Sequence, residues 1–496
     1  MVEHETKGIG QIALQGGLKM FLSQGVKLVV QIASIIVLAR LVTPEDFGLV
    51  AFLTSIFAFV GLFSEFGLTM AIVQKEQIQE KDLNTLFRIS AGIGILLLLC
   101  IGAAGLLTSW ISGDVRYQWI FGIFATMFFF KSLSTVPQGL IRRRLQFGLL
   151  SLQEAGTFLF GALAAVAIAT QGRGILALMA FQFIPGLLMC GSSWLFAGWR
   201  PQKSVGSFQE ASSYFSFGGA FTFVEIANTV CKNIDNLLIG KVWGMELLGQ
   251  YTRAYALMLA PLNQVMGPIG AVLIPSFSRI QQRKEEFKQW TTSIFCAFIC
   301  FSAPISALLV LAHREIIDLL LGPKWEEAYR VFFWLGFAVY SKPLGCLVYW
   351  IFVSTREMKR MMKWTVVYTL GTIVAIVFGI IQGPACVARN FALSEVLIQL
   401  PVAVYFLNKT NIISGAKWIR VYLLGAGFFL ITIGALQAIR TKLGNDLICD
   451  WIRLAGCSLV ASILSIIFSI LMPESRKLLY YAMRYGKKIS SSLLFK

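Results

Sequence analysis

The amino-acid sequence predicts an all-α polytopic membrane protein with about fourteen transmembrane helices. Three observations favour this fold class. Of the 496 residues, 57% are hydrophobic and only 14% are charged. Soluble domains carry roughly 25% charged residues. Apolar stretches of membrane-spanning length recur along the whole chain, and only short polar turns separate them.

Each apolar stretch has the length that a helix needs to cross a hydrocarbon core of roughly 30 Å. The sequence predicts spans at 16–41, 47–73, 86–110, 117–139, 149–170, 174–198, 214–240, 246–274, 290–311, 330–353, 364–382, 390–408, 418–439 and 451–472. The longest connection on the predicted outer face, 312–329, has room for an interfacial turn but not for a folded domain.

The distribution of Lys and Arg predicts that both termini are cytoplasmic. With the N-terminus inside, the cytoplasmic connections and the C-terminal tail hold 25 of these residues, and the opposite face holds 11. This asymmetry follows the positive-inside rule. It accounts for much of the net charge of +18. We expect these basic loops to meet anionic lipid headgroups rather than nucleic acid.

The chain contains an internal duplication. At an offset of 201 residues, the segment 38–49 aligns with 239–250, and Gly48 falls on Gly249. Both segments join the first helix of a set of six to the second. Since six is even, the two sets share one orientation in the membrane. The predicted domains are an N-terminal six-helix lobe, a C-terminal six-helix lobe, and two further helices with a basic cytoplasmic tail, at 1–205, 206–410 and 411–496.

Two duplicated helices carry polar stripes inside their predicted spans. The first helix has Lys19, Ser23, Lys27, Gln31 and Ser34, and the seventh has Glu225, Asn228, Lys232, Asp235 and Asn236. Steps of three and four residues keep each set on one side of a helix. Ionisable residues in spans usually face a bundle interior or an aqueous cavity. We expect the two stripes to form opposing walls of one central substrate-binding cavity, although Lys232 and Asp235 also have the spacing for mutual pairing.

Other charged residues have two readings each. Arg253 is a candidate cation near the outer end of the cavity or an interfacial anchor beside two tyrosines. Glu65, Glu225 and Glu395 are candidates for coupling to H⁺ or Na⁺, with structural hydrogen bonding as the alternative. The run Arg142, Arg143 and Arg144 is a membrane anchor under the positive-inside rule, or a group that captures a phosphate headgroup.

The sequence has no motif of an enzyme. It contains no GxxxxGK[ST] phosphate loop, no GxSxG nucleophile elbow and no HExxH zinc helix. With only two histidines, a histidine-based zinc site is excluded. We therefore expect no catalytic residue, no metal site and no cofactor.

Several segments carry a family resemblance. They are 38–49 (LARLVTPEDFGL), 63–68 (FSEFGL), 73–75 (VQK), 233–240 (NIDNLLIG), 248–262 (LGQYTRAYALMLAPL) and 274–282 (IPSFSRIQQ). Together they resemble the lipopolysaccharide and polysaccharide biosynthesis flippases of the WzxC type, in the multidrug/oligosaccharidyl-lipid/polysaccharide (MOP) exporter superfamily. The resemblance extends over at least the first twelve predicted helices.

This resemblance implies a multi-pass protein of the bacterial inner membrane, with two lobes around a cavity that opens to each side in turn. It implies that the cargo is a polyprenyl-pyrophosphate-linked oligosaccharide, moved to the outer leaflet for exopolysaccharide, capsule or O-antigen. Membrane lipids, a polysaccharide polymerase and glycosyltransferases are the implied partners. Cavities in this family are cationic, and Lys19, Lys27, Lys232 and Arg253 are the residues here that fit.

Two alternatives remain open at this point. One is a Na⁺- or H⁺-coupled multidrug or metabolite exporter of the same superfamily, for which we expect a cavity dominated by carboxylates. The other is a membrane-bound glycan polymerase or ligase. The short outer connections and the duplication argue against that second alternative.

Overall fold

The computed structural model describes residues 23–65, 68–69, 72, 78–144, 146–202, 226, 229–409, 412–441 and 447–473. Within these ranges all regular secondary structure is helical. Eleven of the helices are long and apolar enough to cross a membrane. The predicted fold class, a polytopic all-α membrane protein, is therefore confirmed.

The chain divides into two compact units, residues 1–252 and 253–496. The described helices of the first unit are α1 (Ser23–Leu41), α2 (Pro44–Glu65), α3 (Glu80–Ser112), α4 (Arg116–Arg143), α5 (Phe147–Ala169), α6 (Gly174–Ala197) and α7 (229–243). Helix α8 (Met245–Ile280) begins in the first unit and continues in the second.

The remaining helices belong to the second unit. They are α9 (Lys284–Leu311), the short α10 (His313–Leu320), α11 (Glu326–Ser354), α12 (Met358–Ile380), α13 (Pro384–Asn408), α14 (Gly415–Arg440) and α15 (Leu447–Leu471). Helix α13 is interrupted by a π-helical turn at Ser394–Ile398.

Each of the fourteen predicted spans overlaps one long helix among the described residues. Helix α10 occupies the 312–329 connection, where the sequence predicted only an interfacial turn. The lobe boundaries at 205 and 410 were inferred from the duplication, and they stay a prediction.

The first unit is built from antiparallel helix pairs. Helix α3 packs against α4, α5 packs against α6, and α4 also contacts α6. Leu86 and Val136 are fully buried between these helices, whereas Leu99 and Leu107 on α3 are largely exposed. Exposed leucines on an apolar helix of this length are the surface that lipid chains cover.

In the second unit, α9 is the central helix and contacts α11, α14 and α15. The Phe295 ring stacks on Trp418 of α14, with 4.6 Å between ring centroids. On the other side, the Ser302 and Ser306 hydroxyls donate to backbone carbonyls of α11 at 3.0 and 2.7 Å. Small hydroxyl residues that bond across helices are typical of packing inside membranes.

The two glycines that the duplication aligns lie at one close contact of the first unit. A methyl group on Gly48 would lie 1.6 Å from the Met245 carbonyl oxygen, and one on Gly249 would lie 1.8 Å from the Pro44 carbonyl oxygen. Pro44 and Met245 are related by the same offset. The contact is therefore reciprocal, as a local two-fold axis between α2 and α8 requires. This reciprocity supports the duplication inferred from the sequence.

Candidate functional site

An ion pair joins α1 to α5 inside the membrane-spanning part of the first unit. The Nζ atom of Lys27 lies 3.4 Å from Oε2 of Glu154. Both side chains are partly exposed, at 26% and 39%. Lys27 was predicted from the sequence as a site residue, whereas Glu154 was not, although Glu154 falls within the predicted fifth span. Charged groups at this depth need an aqueous or protein environment, since exposure to lipid chains is costly.

A third charge, Lys131 of α4, lies at the same depth. Helices α1 and α5 end, and α4 begins, on one face of the predicted topology. Along each helix, the distance from its end on that face to the charged residue is about four helical turns, or about 21 to 23 Å, for Lys27, Glu154 and Lys131. Lys131 is exposed, and its Nζ lies over Gly61 of α2.

Helix α7 divides its polar residues between an exposed and a buried side. Lys232 is exposed, whereas Asp235 is 6% exposed. The Tyr251 hydroxyl donates to Asp235 at 2.8 Å, and the Asn236 amide donates to the Ser55 hydroxyl of α2 at 3.1 Å. In the described part of the chain, no ion pair joins Lys232 to Asp235. The buried Asp235 and the half-buried Asn236 thus hold α7 against α8 and α2, respectively.

The corresponding positions of α1 follow a similar division. Ser34, which the offset aligns with Asp235, is 4% exposed and donates to the Val30 carbonyl at 2.6 Å. Gln31 is half-buried, as is Arg253 at the start of the second unit. Lys19, Glu225, Asn228 and the side chain of Glu65 lie outside the described residues, so their predicted roles stay predictions.

The second unit holds a buried ion pair at the π-helical turn of α13. The Nζ atom of Lys342, in α11, lies 2.6 Å from Oε1 of Glu395, which is completely buried. The Tyr368 hydroxyl of α12 donates to the same oxygen. The Gln399 amide, oriented by its hydrogen-bond surroundings, donates to Oε2 at 3.1 Å. The Lys342 ammonium also lies 4.8 Å from the centre of the Phe391 ring.

The π-helical turn has a local cause in the sequence. Pro401 has no backbone N–H, so the carbonyl of Leu397 lacks its ordinary α-helical donor. Just before this point the backbone hydrogen bonds change from the α-helical to the π-helical pattern. The Gln399 backbone N–H donates to the Ser394 carbonyl, five residues earlier. Such turns free carbonyl groups and are frequent at functional sites. Here the Tyr422 hydroxyl of α14 donates to the Val396 carbonyl at 2.8 Å.

A chain of hydroxyl groups continues from this turn into α11. Since the Tyr422 proton is directed to α13, the Ser341 hydroxyl is the donor in the 2.5 Å contact with the Tyr422 oxygen. The neighbouring Tyr340 hydroxyl donates to the Tyr422 backbone carbonyl at 2.5 Å. Helices α11, α13 and α14 are therefore connected through polar groups next to the Lys342–Glu395 pair.

Glu395 was predicted from the sequence as a candidate site residue, whereas its partner Lys342 was not. A signal for it exists in the duplication. Lys131 and Lys342 each lie in the fourth helix of a six-helix set, about four helical turns after the helix begins. Both begin a similar tripeptide, Lys-Ser-Leu and Lys-Pro-Leu. A comparison of ionisable residues at equivalent depth in the two sets would have found both lysines.

The arginine run at the C-terminal end of α4 contacts backbone carbonyls. Arg143 donates to the Ile72 carbonyl at 2.8 Å, and Arg144 donates to the Ala197 carbonyl at the end of α6 at 2.7 Å. Cations at a helix C-terminus interact favourably with the helix dipole. These contacts hold the end of α4 to neighbouring backbone segments, and the membrane-anchoring interpretation of the run stays a prediction. Capture of a phosphate headgroup by this run, including the half-buried Arg142, stays a prediction.

The chain shares its fold with solved transporters. The structure titled "Lipid II flippase MurJ, inward closed conformation" matches with a TM-score of 0.73 at 14% identity, over 94% of this chain and all of that one. An inward-facing multidrug resistance MATE family transporter of the MOP superfamily matches with a TM-score of 0.54 at 12% identity, over 82% of this chain and 95% of that one.

Relatives by sequence come from bacterial polysaccharide pathways. The succinoglycan biosynthesis transport protein ExoT of Rhizobium meliloti is 24% identical, over 70% of each chain. The lipopolysaccharide biosynthesis protein WzxC of Escherichia coli is 24% identical, over 73% of this chain and 74% of that one. A Klebsiella pneumoniae membrane protein of the cps region is 23% identical over 310 residues, which span 62% of its length.

The family model described as "Polysaccharide biosynthesis protein" matches residues 37–330, which is more than half of the chain. This match confirms the resemblance to WzxC-type proteins that the sequence motifs predicted. The protein is a multi-pass membrane member of the polysaccharide biosynthesis protein family.

Proposed function

We propose that the protein is a flippase that moves a polyprenyl-pyrophosphate-linked oligosaccharide from the cytoplasmic to the outer leaflet by alternating access. The observation that carries the proposal is the presence of three lysines within the membrane-spanning helices of the first unit, in a chain of this family. Lys27, Lys131 and Lys232 are exposed or partly exposed there, on three different helices.

The chemistry of this cargo requires such cations. A pyrophosphate and a sugar chain cannot cross hydrocarbon unaided, because a buried charge costs several kcal/mol or more. Lysine offers a compact positive charge to phosphate oxygens. A multidrug exporter for organic cations requires carboxylates in this position. The Lys27–Glu154 pair is neutral as a whole and Asp235 is buried against Tyr251, whereas Lys131 and Lys232 are exposed. These contacts favour an anionic cargo.

We place both termini in the cytoplasm on the distribution of Lys and Arg. An inside-negative potential then favours outward movement of the anionic headgroup, by about 2.3 kcal/mol per charge per 100 mV. Transport of this kind needs no catalytic residue and no bound cofactor. The outer connection with α10 also leaves little room for a glycan polymerase or ligase domain.

The role of Glu395 in coupling to H⁺ or Na⁺ stays a prediction. In the described conformation the carboxylate has a cation and two further donors, which supports a structural role in holding α11, α12 and α13 together. Coupling requires a second conformation in which Lys342 releases the carboxylate.

The experiment measures the rate at which a fluorescent polyprenyl-pyrophosphate glycan is flipped in proteoliposomes. A membrane potential of either sign is imposed. We expect Lys27→Ala, Lys131→Ala and Lys232→Ala each to lower the flipping rate at least about tenfold. A hydrogen bond to a charged group contributes about 1.5 to 3 kcal/mol. The Lys131→Arg variant keeps the charge and should retain most of the rate.

Lys241→Ala is the matched control. Lys241 is an exposed lysine at the far end of α7, away from the level of Lys27 and Lys131. Its removal should leave the rate unchanged. Full activity in all three variants would remove the lysines from the cargo path. Export of organic cations without movement of lipid-linked glycan would contradict the proposal itself.

A further inference from the structure

A polar pocket lies at one end of the second unit, where three apolar helices end. It is formed by the first turns of α9, by the start of α14 and the residue before it, and by Pro473, two residues after the end of α15. Its volume is 320 Å³, within the range of small-ligand sites, which starts at about 300 Å³. We call it the α9–α14 pocket. On the predicted topology it opens on the cytoplasmic face.

The pocket contains two lysines from different helices, Lys288 of α9 and Lys417 of α14. One carboxylate, Glu285, also lines it and lies 2.9 Å from the Lys288 ammonium. The Glu285 side chain is 79% exposed, and exposed pairs of this type contribute little. Lys288 therefore remains able to exchange this partner for an anion in the pocket, and Lys417 adds a second charge.

A hydroxyl group at the pocket wall adds to the two lysines. Ser293 lines the pocket and is only 8% exposed, and within the described residues its side chain makes no hydrogen bond. The adjacent Thr292 hydroxyl donates to the Lys288 carbonyl at 2.7 Å and keeps its acceptor capacity. Ser293 is thus an unused donor at the wall of a cationic pocket.

The start of α14 adds a third contribution. The backbone N–H of Trp418 donates to the Ser414 carbonyl at 3.0 Å. The 26-residue helix α14 therefore begins at the pocket wall. The N-terminus of a helix carries a partial positive charge and free N–H groups, which bind phosphate. Two ammonium groups, an unused hydroxyl and a helix N-terminus converge on one cavity.

We propose that the α9–α14 pocket binds the phosphate group of an anionic ligand, separately from any transported cargo. The pocket lies where apolar helices end, which is the depth of the lipid headgroups. This position favours an anionic phospholipid as the source of the phosphate. A water-soluble phosphate compound offers the same chemistry, and the test separates the two.

The test measures ligand retention by the purified full-length protein. Native mass spectrometry with phosphatidylglycerol or phosphatidylcholine counts bound lipid, and calorimetry measures binding of glycerol phosphate. We expect phosphatidylglycerol to be retained in preference to phosphatidylcholine. The double variant Lys288→Gln/Lys417→Gln should weaken retention about 25-fold, because each lysine near an anionic headgroup contributes about fivefold. Ser293→Ala, which changes little volume, should weaken it in the same direction.

The matched control is Lys359→Gln/Lys363→Gln. It removes two exposed lysines of the second unit, on α12, that do not line the pocket. Loss of lipid in the pocket variants alone supports a headgroup site, and binding of glycerol phosphate with the same dependence assigns it to a soluble phosphate. Equal retention in the pocket and control variants, with no phosphate binding, would overturn the proposal. Because flipping is not measured, this result is independent of the proposed function.

Discussion

Separating the buried pair of Lys342 and Glu395 should destabilise the protein more than removing both charges together. In Lys342→Met the Glu395 carboxylate stays completely buried and retains only the Tyr368 and Gln399 donors. Breaking a buried ion pair from one side costs about 3 to 5 kcal/mol. With two donors left, we expect a loss near the lower limit, about 3 kcal/mol.

The converse variant should be milder. In Glu395→Gln the lysine loses its carboxylate, but its side chain is 24% exposed and remains over the Phe391 ring. We therefore expect a loss of about 1 to 2 kcal/mol, since partial exposure lets water replace part of the lost contact. The double variant Lys342→Met/Glu395→Gln leaves no buried charge. It should be more stable than Lys342→Met alone, by about 2 kcal/mol.

The assay is a double-mutant cycle on thermal unfolding of the four purified proteins in one detergent, monitored by tryptophan fluorescence. Lys363→Met, at an exposed position of α12, is the control and should leave the midpoint unchanged. If the losses of the two single variants simply add in the double variant, the pair contributes no coupling energy and the reasoning is refuted. If the double variant still flips the glycan, but at a rate that no longer depends on an ion gradient, that result would assign the coupling of transport to the ion to Glu395.

Three further predictions concern positions outside this pair. Gly48→Ala places a methyl group 1.6 Å from a backbone oxygen and should strongly lower the unfolding temperature. The control Gly102→Ala, on α3, places its methyl group where no atom lies within 4 Å, and it should be neutral or stabilise the protein by about 0.5 to 1 kcal/mol. Arg144→Ala removes the donor to the Ala197 carbonyl and should cost about 1.5 to 3 kcal/mol of stability, read from the same unfolding scans. Burial lowers the pKa of His313, so the folded protein favours the neutral ring, and stability should fall as the pH drops below about 6.5. Unfolding midpoints at acidic and neutral pH should therefore differ less in His313→Gln, and an unchanged difference would contradict this account.

Local properties of the chain predicted the helices well. Hydropathy over about 20 residues depends only on neighbouring residues, and the bilayer sets the required length. For this reason the predicted span positions and the described helices correspond, and the short outer connection contains only α10. The internal duplication also identified Gly48 and Gly249 as equivalent positions before their contact was known.

The partners of buried charges were beyond the reach of the sequence. Lys131, Glu154 and Lys342 are single charges in apolar stretches, without the repeated spacing that singled out Lys27. Spacing along one helix left open a pair between Lys232 and Asp235 as the alternative to a shared cavity wall. The folded chain instead directs Tyr251 to Asp235 and leaves Lys232 exposed.

By itself, the sequence determined that the chain crosses the membrane many times, that it is duplicated, and which faces of α1 and α7 are polar. These features follow from composition and periodicity within single segments. Only the tertiary structure decided that Lys27 meets Glu154 and that Lys342 meets Glu395, because such pairs join helices that are far apart along the chain. Which helices become neighbours depends on packing, such as the reciprocal contact of Gly48 and Gly249. At such a contact the two backbones approach closely, and small residues leave no side-chain pattern from which the sequence could predict it.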